Sequence, residues 1–181
     1  MPTLEINVPH EFTRLQEALD AFESIRAEGA DACRRREESV SAWSVEQHLY
    51  HIALATDLAF KHVRSLVAGK GRLIADEGEL GAQAAEVLAS DRTPRGEAKA
   101  PRMVTPDPEV DPSFLEMELR LNREGLESLR AMESEIADAP GWIPHQVLGT
   151  LSAGHWLRFA ALHARHHWSI VRDIRGEGAV S

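Results

Sequence analysis

The stretch Trp156-Leu157-Arg158-Phe159-Ala160-Ala161-Leu162-His163-Ala164-Arg165-His166-His167-Trp168-Ser169-Ile170-Val171-Arg172-Asp173-Ile174 decides the fold. Within it Trp156, Ala160, His163, His167, Ile170 and Ile174 recur at steps of four and three, which is one stripe of an α-helix. A stripe of that kind faces a core, yet two of its members are histidines. At a spacing of four they lie about 40° apart and one turn apart, so two imidazoles can reach one cation. The bland reading is that both are core residues with hydrogen-bond partners, since a buried imidazole without partners costs free energy. His166 lies about 100° from His167 and is expected to be half-exposed.

Working outward, three more stripes complete the set. Phe12, Leu15, Leu19, Phe22 and Ile25 mark a first helix that starts near Pro9 or His10, with Gly29 bending or ending it. Ser44 and Gln47 form a capping box for a second, whose seam reads Val45, Leu49, Ile52, Thr56, Ala59, Val63 and Leu66, with Gly69 as its stop. Ser113 and Glu116 suggest a box for a third, with Phe114, Met117, Leu121, Leu126, Leu129 and Met132 as its apolar face. Thr150 or Ser152 caps the fourth helix and Gly176 closes it. The spacing predicts helices over about 10–36, 44–68, 112–138 and 152–175 in one all-α domain covering 1–181. A proline- and charge-rich crossover over 69–111, with one short helix near 80–89, joins helices two and three. The expected architecture is a four-helix bundle in which that long crossover lets helices two and three run parallel.

A third metal ligand must come from another helix. Helix two carries His48, His51 and His62 in a stripe beside its seam. Helices two and four should run antiparallel. At about 1.5 Å per residue His51 then lies level with His163 and His167, and His62 falls about 16 Å further along. His48 matches on level as well as His51, so spacing leaves both open. Three imidazoles on a divalent ion leave an open coordination position, the pattern of catalytic rather than structural sites. Such an ion lowers the pKa of a bound water or thiol.

Composition limits the alternatives. With 20 basic against 29 acidic residues the chain has a formal net charge of -9, a poor match to nucleic acid. Its one basic cluster, Arg34-Arg35-Arg36, runs straight into Glu37-Glu38 and reads as solvated helix surface. The single cysteine, Cys33, rules out a disulfide framework and reads as a half-buried small residue. No apolar run approaches the roughly 20 residues of a membrane span. Met1 to Pro9 lacks a basic region followed by an apolar block, so no signal peptide is expected and the cytoplasm is the expected location.

Two stretches resemble a known family. Trp43-Ser44-Val45-Glu46-Gln47-His48-Leu49-Tyr50-His51-Ile52 looks like the helix-two motif of the DinB/YfiT-like superfamily. His145-Gln146-Val147-Leu148-Gly149-Thr150-Leu151-Ser152, continued through His163-Ala164-Arg165-His166-His167, is similar to its helix-four motif and approach loop. The resemblance implies an up-down-down-up four-helix bundle with a three-histidine metal site holding nickel, zinc or another divalent ion. In the family's helix-two pattern the ligand is the histidine eight residues after the tryptophan, here His51 rather than His48. In its helix-four pattern the ligands are the first and last histidines of His-x-x-His-His, here His163 and His167. In the family a proline often follows the position of His145; here Pro144 precedes it, and the resemblance assigns no role to His145 or to His155.

Relatives of this kind include transferases and isomerases that use mycothiol, bacillithiol or glutathione, and others described as metal-dependent hydrolases. The first expectation is therefore a metal-dependent enzyme that activates a low-molecular-weight thiol or a water against a small electrophile. Zinc or nickel is the expected ion, with iron or manganese next. Glu46, Asp57 and Asp173 are the acids on the right segments, each better explained as solvated helix surface. Arg92, Arg95 and Arg102 are candidate partners for a thiol carboxylate, with plain surface charge as the simpler account. The alternatives are a non-catalytic metal- or ligand-binding bundle and a homodimeric scaffold, for which Trp142 and Trp168 are candidate interface residues.

Overall fold

Helices account for most of the residues that the computed structural model describes, 4–90, 93 and 100–178. In chain order they form α1 (Val8–Ala27), α2 (Ala30–Arg34), α3 (Val45–Ala68), α4 (Ala82–Ser90), a 3-10 turn (Arg102–Val104), α5 (Pro112–Arg130), α6 (Glu133–Asp138), β1 (Ile143–His145), β2 (Gly149–Leu151) and α7 (Ala153–Arg175). The candidate Arg92 and Arg95 lie outside the described residues.

Local chemistry sets the ends. The capping box on α3 is complete: the Ser44 side chain accepts from the Gln47 N–H, and the Gln47 side chain accepts from the Ser44 N–H at 2.9 Å. Gly69 closes α3 in the left-handed conformation, at φ of +61°. Ser152 rather than Thr150 caps α7, and Gly176 ends it at φ of +73°.

Two of the long helices are interrupted. Gly29, at φ of +103°, separates α1 from α2 where one helix over 10–36 was expected. The helix expected over 112–138 stops at Arg130, and α6 continues after Met132. Its cap is Asp111, whose side chain accepts from the Ser113 N–H at 2.8 Å, so Ser113 is not the cap. The apolar face expected for this helix is also rotated. Leu115, Leu119, Asn122, Leu126 and Leu129 are buried, while Phe114 and Leu121 are exposed. Asn122 reaches a core position because its Nδ2 donates to the Ala53 carbonyl of α3 at 3.0 Å, which offsets the cost of burying an amide.

The four long helices close a ring: α1 packs on α5 and α7, and α3 packs on the same two. Phe12, Phe22, Phe60, Leu49, Ile52 and Leu126 are among the largest fully buried side chains. A two-stranded antiparallel hairpin, with Ile143 opposite Leu151, precedes α7 where only a loop was expected. Strands of three residues are too short for alternation to be seen in a sequence.

The crossover is fastened along the ring. Ala75 and Trp142 exchange backbone hydrogen bonds at 2.9 Å, which ties its start to the hairpin. The buried Arg158 of α7 donates through Nε to the Leu88 carbonyl at 3.0 Å and through Nη1 to the buried Glu11 of α1 at 3.1 Å. Gln47 of α3 donates to the Asp107 carbonyl at 3.0 Å. The crossover thus returns over the N-terminal end of α3, the end that carries His48 and His51. Among the described residues no helix is long and apolar enough to cross a membrane.

Candidate metal centre

α3 supplies His51, and α7 supplies His163 and His167 one turn apart. The packing of α3 on α7 brings the three together, each with a ring nitrogen within 4.8 Å of the others. His51 and His167 are buried and His163 is half-buried. His51 and His163 face each other through Nε2 at 3.3 Å. Two imidazole nitrogens bound at 2.0–2.1 Å to one tetrahedral zinc stand about 3.3 Å apart, so the separation of this pair is that of two ligands on one ion.

The proton positions fit as well. His51 Nδ1 lies 2.7 Å from the Val104 carbonyl oxygen. A carbonyl only accepts, so Nδ1 carries the hydrogen and Nε2 keeps its lone pair for the site. Desolvation lowers the His51 pKa, opposed in part by that carbonyl. Desolvation, then the neighbouring histidines, hold His163 and His167 well below the ordinary value. The three rings are therefore neutral near pH 7, the form that ligates a cation. These donors suit a divalent ion of the zinc, nickel, iron or copper group.

Aromatic neighbours wall the triad. The half-buried Trp43 has its ring centroid 5.1 Å from His51 and 6.3 Å from His167. Phe159 stacks on His163 at 5.2 Å with 15° between the planes. His145 packs on Phe159 at 4.4 Å, and its Nδ1 accepts from the Val147 and Leu148 N–H groups at 3.2 Å. The hairpin thereby places His145 one ring away from a triad member, which the sequence did not reveal.

His48 is excluded from the triad but touches it. Its Nδ1 lies 2.9 Å from His167 Nδ1, and its Nε2 lies 2.9 Å from Ser41 Oγ. Burial, and after it the neighbouring His51 and His166, push its pKa down to about 4. His166 is half-buried with its edge toward the His167 ring at 5.2 Å, as its stripe suggested. His62 packs on Trp156 at 4.5 Å, away from the triad. His155 works at the helix start, where Nε2 donates to the Leu4 carbonyl at 3.2 Å.

The expected acids stay apart. Among the described residues the cluster able to hold an ion consists of His51, His163 and His167 without a carboxylate. Asp57 pairs with Lys61 and lines an open depression between α3 and α5 with Glu118 and Glu124. Glu46 is half-buried, and burial raises its pKa. Arg102 is exposed on the 3-10 turn whose Val104 carbonyl orients His51. Trp142 and Trp168 both have partners within the chain, Trp142 on Ala75 and Trp168 edge-on to Phe22 at 6.0 Å.

Sequence reasoning missed the Val104 carbonyl and the Ser41 hydroxyl. Trp43 and His48 left signals, the first as the tryptophan from which the family pattern counts to His51, the second as the residue one turn before His51 on the same side of α3. The DinB superfamily matches the chain over residues 11–171. No curated protein and no solved structure matches it.

Proposed function

The chain belongs to the DinB superfamily, and from that premise we propose an up-down-down-up four-helix bundle whose His51, His163 and His167 hold one divalent ion for catalysis. The reaction is attack of a low-molecular-weight thiol or a water on a small electrophilic substrate. Zinc or nickel is the ion that fits the donor set best. The observation that carries the reading is the facing pair of imidazole nitrogens, 3.3 Å apart, contributed by two different helices.

A bound ion would supply Lewis acidity and lower the pKa of a water or thiol at the position that three protein ligands leave open. The chain's own groups do the rest. His51 is oriented by the Val104 carbonyl, which takes up its Nδ1 hydrogen and leaves Nε2 as the nitrogen free for an ion. Trp43 and Phe159 keep bulk water off the imidazoles, which strengthens electrostatic interactions inside. Arg102, exposed on the turn that holds His51, is the cation this reading would use to meet an anionic group on the thiol or substrate.

A second reading is a non-catalytic clamp, in which the ion fastens α3 to α7. It is favoured by burial, since His51 and His167 are only 3% and 9% exposed. Metal content of the purified protein, measured by plasma mass spectrometry, tests the shared premise. One equivalent of zinc or nickel is expected in the wild type, and its loss in His163→Ala. A turnover screen of mycothiol, bacillithiol, glutathione and water against test electrophiles separates the two readings. Turnover that disappears with His163→Ala supports the enzyme. A loaded, heat-stabilised protein inert to every pair supports the clamp.

A further inference from the structure

We propose that His48 is a positioning residue for the metal centre: it links Ser41 to His167 and holds His167 with an unprotonated Nε2 turned toward the ion. The proposal rests on the triad being a metal site.

His48 Nδ1 and His167 Nδ1 face each other at 2.9 Å, so one proton lies between them. Two N–H groups would repel, and two bare nitrogens would leave no hydrogen bond. A neutral imidazole carries one N–H and one lone pair. If His167 ligates through Nε2, its proton sits on Nδ1 and is donated to His48 Nδ1. His48 must then carry its own proton on Nε2. That nitrogen lies 2.9 Å from Ser41 Oγ, which can accept it. Ser41 Oγ also accepts the Trp43 N–H at 3.1 Å, which holds the hydroxyl oxygen in place. The ring N–H groups of His167 and His48 and the Trp43 N–H each meet an acceptor in this arrangement. The reverse arrangement places a hydrogen on His167 Nε2, where it would block the ligand position.

Burial makes the link necessary. His48 is 2% exposed, so no bulk water can substitute for it as the acceptor. Trp43 packs against both rings, at 5.4 Å from His48 and 6.3 Å from His167, and limits their rotation. The two helices solve one problem in two ways. His51 is oriented by a backbone carbonyl, which no substitution removes. His167 is oriented by a side chain, which can be replaced.

The test is zinc affinity of the full chain by competition with a chelator, for wild type, His48→Asn, His48→Phe and the ligand control His163→Ala. Phe keeps the ring volume and loses the acceptor. Asn places Oδ1 at the same number of bonds from the backbone as Nδ1 and can accept the same hydrogen. Zinc binding should weaken about 10–100-fold in His48→Phe and stay within a few-fold of wild type in His48→Asn. Histidine nitrogen spectra of the zinc-loaded wild type should show His167 protonated on Nδ1 and His48 protonated on Nε2. These spectra decide the matter even where His48→Phe fails to fold. Wild-type affinity in a folded His48→Phe, or a His48 protonated on Nδ1, overturns the positioning role alone. A wild type that takes up neither zinc nor nickel overturns the metal reading and this inference together.

Discussion

Two histidines outside the triad tie the fold to pH. His48 and His145 are each held down to about 4 by desolvation first, then by neighbouring imidazoles, His51 and His166 for the one and His62 for the other. In the unfolded chain both titrate near 6.5. Between those values the unfolded state binds more protons than the folded state, so stability falls as pH drops from about 6.5 to about 4 and changes little above that window. The buried His48 alone accounts for roughly 3 kcal/mol across the window. Thermal unfolding of the chelator-treated protein at a series of pH values should show a Tm that is flat near pH 8 and declines steeply below 6.5. A Tm that holds constant down to pH 4 would mean these rings take up protons in the folded state without strain. At this scale the sequence was informative where the helix decides, because His163 and His167 share a stripe by backbone geometry alone. It was silent on Val104, which sits 53 residues from the His51 that it orients.

At the scale of elements, glycine and capping residues set lengths and spacings. A methyl group built at Gly125 of α5 would stand 2.9 Å from Phe60 Cδ2 of α3, too close unless the buried Phe60 ring or one helix moves. Gly125→Val is expected to lose about 2 kcal/mol, because overpacking at about 1–3 kcal/mol outweighs the small gain in helix propensity. Urea unfolding measures it, and a variant as stable as wild type would show that this glycine does not set the α3 to α5 spacing. The cap at Ser44 was legible, and that of α7 was narrowed to Thr150 or Ser152, because a capping side chain bonds its own helix. The apolar face of α5 was not. Phe114 and Leu121 fit a helical stripe as well as Leu115 and Leu119 do, and the true stripe contains Asn122, which pattern reading passes over. Only the Ala53 carbonyl across the interface makes an amide acceptable there.

At the scale of the molecule, buried charge holds the crossover to the ring. Glu11 of α1 bonds Arg158 of α7 at 3.1 Å, and Arg158 reaches the Leu88 carbonyl of α4. Glu11→Ala removes the carboxylate that the buried Arg158 and Arg14 both bond, a change expected to cost about 3–5 kcal/mol. The crossover over 69–111 should then become more open to trypsin than in the wild type, read as the rate of first cleavage in native buffer. Destabilisation under 1 kcal/mol with unchanged cleavage would show that the charge pair does not fasten the crossover.

By itself the sequence determined the stripes of α1, α3 and α7 and that two imidazoles of the last helix share a side. Those properties repeat every few residues and depend on nothing distant. The tertiary structure decided that the His51 singled out by the family resemblance comes within 4.8 Å of both, that His48 lies between Ser41 and His167, and that the crossover lays a carbonyl against His51. These outcomes depend on the packing of α3 against α7 and the path of the returning chain, and no local period encodes either.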